Sequence, residues 1–231
     1  MSKLGLLSVL STTVLLLSGC ATQYPPTTQA LTLSPLHVLS QQLEETSGLY
    51  CTDDRLFTIN DSGNEAKVFE LNYDGLVTQT YPLPLRNIDW EAITGDDEFL
   101  YIADIGNNKG KRETLMVHKV SRRDYNHVDS FSIQYAGNEP SDNFPYAHDF
   151  DAEAMVLAEG KLLIFSKSWR TGIANVYEVG SETQQILTPI AHIAGLPGVI
   201  TGADFDEVRN LYVVVGYKSD PFGNFSTFLA Q

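Results

Sequence analysis

Apolar residues recur along this chain in short runs, not at helical spacing. Runs such as FLYIAD (99–104), KLLIFS (161–166) and NLYVVVGY (210–217) are rich in β-branched and aromatic residues and are bounded by turn residues. Four segments follow one plan: a small residue, an apolar one, a turn, then a β-rich run closing on a polar pair. They are TSGLYCTDDRLFTIND (46–61), DWEAITGDDEFLYIAD (89–104), DAEAMVLAEGKLLIFSK (151–167) and ITGADFDEVRNLYVVVGY (200–217). With Leu49, Ile93, Met155 and Ala203 as equivalent positions, the repeats lie 44, 62 and 48 residues apart. The turn-rich loop at 136–149 accounts for the longest interval.

Further short β-type runs follow each pair: 66–73 and 76–83, then 113–120 and 130–135, then 173–179 and 184–193. Four short strands recurring at this period predict an all-β chain, a β-propeller of four-stranded blades. A sandwich would also supply many strands but would not predict the internal repetition. The fourth unit offers only one further strand, FSTFLA (225–230). Either HVLSQQL (37–43) completes that blade and closes a four-bladed ring, or the chain is an incomplete form of a larger propeller; its strand-like end favours the second.

The ends add a different element. Met1 to Lys3 and the apolar stretch Leu4–Leu17, closed by Leu-Ser-Gly-Cys, read as a lipoprotein signal over 1–19, with Cys20 as the acylated residue. Residues 20–36 read as a Thr, Gln and Pro-rich linker and 37–231 as the propeller domain. The closing tetrapeptide resembles a bacterial lipobox, and by that resemblance Ala21, where an aspartate would retain such a protein at the inner membrane, favours the outer membrane of the cell envelope in an organism that has one. Cys51, then the lone cysteine of the domain, is expected in the core, with no disulfide framework. The net charge of −14 argues against nucleic acid or anionic lipid headgroups as partners; it suits a metal ion or cationic ligand, although solubility and self-repulsion account for it more simply.

Two inner strands begin with Asp-x-Glu-Ala: Asp89 with Glu91, and Asp151 with Glu153. Strict alternation puts Asp89, Glu91 and Ile93 on one face, and Trp90 and Ala92 on the other. Propeller symmetry then brings Glu91 and Glu153 together at the tunnel mouth, with Ser47 and Thr201 in the equivalent places. Asp61 and Asp104 end the second strands of their units. These six carboxylates can be read as ligands for Ca²⁺, which takes six to eight oxygens and acts as a Lewis acid on esters or phosphoesters. They can equally accept backbone N–H groups of the adjacent blade, and repetition favours that structural role. His148, beside Asp149 and Asp151, is a candidate acid/base or ligand, the alternative being an exposed loop residue. Gly-x-Ser-x-Gly, His-Glu-x-x-His and a Gly-rich phosphate loop are all absent from the sequence.

Asp-Trp-Glu-Ala-Ile (89–93), Ala-Asp-Ile-Gly-Asn-Asn (103–108) and Asp-Ala-Glu-Ala-Met (151–155) resemble a bacterial group of secreted β-propellers over roughly 44–220. The group is related to the SdiA-regulated and phytase-like ("esterase-like") families. The resemblance implies a propeller of more blades, and calcium-assisted phosphoester hydrolysis where a full cluster of acidic ligands is present. The expectation is a lipid-anchored extracytoplasmic binding or scaffold module, with calcium as its candidate ion. The alternative is a metal-dependent hydrolase of esters, lactones or phosphoesters.

Overall fold

The computed structural model describes residues 37–220 and 222–231, so the signal, Cys20 and the linker lie outside the described residues. Among the described residues sixteen strands form four sheets, each a blade. Blade 1 is β1 (Thr46–Cys51), β2 (Leu56–Asn60), β3 (Lys67–Leu71) and β4 (Val77–Pro82), paired in that order. Blade 2 is β5 (Trp90–Gly95), β6 (Phe99–Asp104), β7 (Leu115–Ser121) and β8 (Val128–Tyr135). Blade 3 is β9 (Ala152–Ala158), β10 (Lys161–Ser166), β11 (Ala174–Val179) and β13 (Ala191–Ile193). Blade 4 has three strands, β14 (Val199–Asp206), β15 (Leu211–Ser219) and β16 (Phe225–Ala230). The fold is a β-propeller, as the repeat predicts, and the described residues form four blades, one for each repeat unit.

Two details differ from expectation. The run 184–193 is two strands: β12 (Gln184–Leu187) leaves its own blade and pairs in parallel with β8, and β13 returns to finish blade 3. Thr188-Pro189 separates the two, and a proline cannot continue a ladder. Residues 37–43 complete no blade. Gln41–Leu43 is a 3-10 turn whose Leu43 packs on Phe69 and Leu71 of blade 1.

Three apolar clusters join the blades face to face. Phe57, Ile59 and Val68 meet Trp90, Ile93 and Ile102 between blades 1 and 2. Ala103, Val117 and Ile133 meet Met155, Ile164 and Tyr177 between blades 2 and 3. Val156, Leu163 and Phe165 meet Ile200 and Val214 between blades 3 and 4. Burying large side chains of this kind contributes roughly 1.5–3 kcal/mol each, so these clusters hold the ring of sheets together. Among the described residues no such cluster joins blade 4 to blade 1. Leu49 and Cys51 alternate with Tyr50, which packs toward blade 2, and both are exposed. Cys51 is therefore not a core residue: the face of β1 that carries it has no blade against it.

Candidate functional site

The inner strands β1, β5, β9 and β14 share one irregularity. Each pairs with its second strand in regular antiparallel register except for one skipped residue near its start. The skipped residues are Ser47, Glu91, Glu153 and Thr201, the four positions the repeat makes equivalent. A bulge inserts an extra residue and re-aims its side chain. Trp90 and Ile93, three apart, consequently both pack toward blade 1, while Ala92 packs toward blade 3. Ala152 and Met155 repeat the pattern toward blade 2, with Ala154 toward blade 4. Strict alternation thus fails at this point. The two faces of β5 and β9 serve the neighbouring blades, and the bulged residue is the one left for the axis. All four bulged residues line a single cavity of about 480 Å³.

Small residues follow each bulge because the inner strands come close there. A Cβ on Gly48 would stand 2.9 Å from the backbone nitrogen of Ile93. Ser47 uses the proximity to donate from Oγ to the Trp90 carbonyl at 2.8 Å.

The six carboxylates divide by partner. Asp151, fully buried, accepts the Asn107 N–H at 2.7 Å, the Ala152 N–H at 3.1 Å and the Trp169 indole N–H at 2.9 Å. Asn107 belongs to the loop after β6, so this carboxylate fastens blade 2 to blade 3. Asp104 accepts the Ile88 and Asp89 N–H groups, both at 3.2 Å, and pairs with Arg112 at 2.6 Å. Glu153 is held by the buried ammonium of Lys167, which lies over the rings of Trp169 and Tyr217. Burial raises the Glu153 pKa despite that ammonium, and burial's opposite pull on Lys167 is outweighed by Glu153.

The other three converge. One carboxylate oxygen each from Asp61, Asp89 and Glu91 lies within 4.8 Å of the other two. Asn87 sets the junction: its amide N–H groups donate to the carbonyls of Asn60 and Asp61 at 2.9 and 2.8 Å, and its Oδ1 accepts the Trp90 N–H. The end of β2 is thereby tied to the start of β5. Gly106 closes the third side. Its N–H donates to the Asp89 carbonyl, Arg112 braces its own carbonyl at 2.7 Å, and a Cβ there would collide with the Asp89 and Glu91 carboxylates.

Glu91 is the unusual member. It is 6% exposed, lines the cavity, and its carboxylate makes no hydrogen bond to a described residue. Burial first, and then the charges of Glu153, Asp61, Asp89 and Asp151, push its pKa up to about 10. Asp89 is raised by burial and by Asp61, with Arg112 opposing.

His148 is not an exposed loop residue. It is 1% exposed, its Nδ1 accepts the Phe150 N–H at 3.1 Å, and its Nε2 lies 3.4 Å from the Asn108 carbonyl. It does not line the cavity; it anchors the 136–149 loop. Sequence reasoning missed Asn87, Gly106 and Arg112. The glycine in ADIGNN, directly after a strand, was the available signal of close backbone approach.

No family model and no curated protein matches the chain. Solved structures do resemble it. One is the computationally designed Ika4 protein, 11% identical, TM-score 0.39, covering 85% of this chain and 98% of that one. Another is the β-propeller domain of Myceliophteria thermophila Cps50 (Swd1), 10% identical, TM-score 0.42, covering 80% and 58%. A third is a protein from Lactobacillus plantarum, 16% identical, TM-score 0.36, covering 80% and 55%. The chain thus spans little more than half the length of the latter two. The propeller assignment itself rests on the strand pairing described above.

Proposed function

We propose that this protein is a binding module of the cell envelope whose channel holds a divalent cation, calcium, between Asp61, Asp89 and Glu91. One observation carries the reading: Glu91 is a buried carboxylate without a hydrogen-bond partner among the described residues, set among two others at ligand spacing. Such a carboxylate is costly to ionise, and a hard cation offsets that cost while using the oxygens offered. The motif resemblance to secreted phytase-like propellers points to the same ion. In this reading Cys20 carries the lipid that tethers the domain, at the outer membrane, and replacing it with serine abolishes acyl labelling and releases the protein.

Calcium titration followed by thermal melting tests the site. Ligand at a hundredfold excess over its dissociation constant stabilises the folded state by about 2.7 kcal/mol. The shift is expected in the wild type and is lost in Glu91→Gln and in Asp89→Asn. No shift at millimolar calcium retires the cation. Turnover of esters or phosphoesters abolished by the same substitutions would move the assignment to a hydrolase.

A further inference from the structure

We propose that the cavity beside this cluster binds a flexible aliphatic chain with an uncharged, oxygen-bearing head, the head completing the coordination of the cation. The inference rests on the calcium reading above and extends it to an organic ligand.

The cavity begins at Glu91 and Glu153 and runs into the junction of blades 4 and 1, where no apolar cluster seals the sheets. At about 480 Å³ it falls within the size range of small-molecule sites. Beyond the bulged residues its walls are mostly aliphatic, with Leu49, Leu56 and Leu71 from blade 1, Met155 from β9, and Val213 and Val215 from β15; Thr46, Thr58 and Asp204 are the polar exceptions. Among the described residues no aromatic side chain lines it. A mostly aliphatic wall suits a flexible alkyl chain and offers no ring a surface to stack on. Three observations thus meet at one place: aliphatic walls, a polar ring at one end, and an opening at the blade junction.

Charge decides the head group. Three protein carboxylates leave open several of the six to eight oxygen positions calcium takes. With the ion bound, Asp61, Asp89, Glu91, Glu153 and Asp151 still outweigh calcium and Lys167, so an anionic head is repelled. A cationic head has to compete with the ion for Glu91. A hydroxyl or carbonyl oxygen meets neither obstacle. Uncharged monoacyl or alkyl lipids have this form.

The test uses the full chain with Cys20→Ser, so that no detergent is needed. Calcium binding is measured first by calorimetry. Then 1-monodecanoylglycerol, decanoate and decylamine are titrated below their micellar concentrations, with calcium and with EDTA. The expected result is saturable 1:1 binding of monodecanoylglycerol, about tenfold tighter with calcium than with EDTA, and weaker binding of both charged analogues. Val215→Lys, at a position 43% exposed on β15 and outside the Asp61, Asp89 and Glu91 cluster, should abolish lipid binding and leave calcium binding intact. Absence of calcium binding retires the cation reading. Calcium binding without lipid binding overturns this proposal alone, as does equal lipid affinity in EDTA or tighter binding of either charged analogue.

Discussion

Replacing Glu91 by glutamine should stabilise the cation-free protein, although it removes a residue of the proposed site. In the unfolded chain this carboxyl titrates near 4.5, whereas in the fold it titrates near 10. Its contribution is fully present below pH 4.5, where both states are protonated. It is lost as pH rises toward 10, because the unfolded state ionises while the folded state cannot. Between 4.5 and pH 7 lie 2.5 pH units, which at 1.36 kcal/mol each amount to about 3 kcal/mol. Glutamine has the shape of the protonated acid and no proton to lose, so the variant escapes this penalty. For a chain of this size the gain corresponds to roughly 6–12 °C in melting temperature. The assay is thermal or urea denaturation of wild type and Glu91→Gln in EDTA from pH 4 to 9. The difference should vanish at the acid end and widen with pH. Saturating calcium should reverse the order, since only the wild type keeps the full ligand set. A variant less stable than wild type at pH 8 in EDTA, or a difference independent of pH, would refute an unpaired, buried Glu91.

Three further outcomes follow from the same geometry. Lys167→Met strands Glu153 without its ammonium and is expected to cost about 3–5 kcal/mol by urea denaturation; Lys167→Met with Glu153→Leu should recover most of it. Gly106→Ala forces a methyl against the Asp89 and Glu91 carboxylates and should weaken calcium binding about 10- to 100-fold, read by calorimetry. Asp104→Ala frees Arg112 and uncaps two amides, so hydrogen exchange at Ile88 and Asp89 should accelerate while that of β10 and β11 stays protected.

The repeat was legible because it is written in hydrophobic periodicity, and strand positions in the first three units fall close to those predicted from it. The grouping of Ser47, Glu91, Glu153 and Thr201 followed from the same alignment. Their orientation did not, because alternation has no way to register an inserted residue. Gly48 and Gly202, and Ala92 and Ala154 in the other units, were the hint: each bulge is followed by a small residue where backbones crowd. Sorting the carboxylates was out of reach as well. Asp89 and Asp151 occupy equivalent places in their repeats, yet Asp151 is consumed by Asn107 and Trp169 from two loops, and loops are where the units differ. His148 reads as exposed because its neighbours are turn residues, and only the packing of its long loop buries it.

The excursion of β12 gives the molecule an uneven response to force. Its parallel ladder with β8 runs from Gln184↔Ser132 to Leu187↔Tyr135, and Leu187 is buried in the cluster between blades 2 and 3. Peeling blade 3 from its C-terminal side therefore requires stripping a strand off blade 2, so these two blades behave as one mechanical unit. Blade 4, with three strands and no such strap among the described residues, is the fuse. Tension applied at Gln231 should unzip β16 and β15 at low load and then arrest at the β12–β8 ladder, which marks the boundary between the part of the propeller that yields and the part that bears.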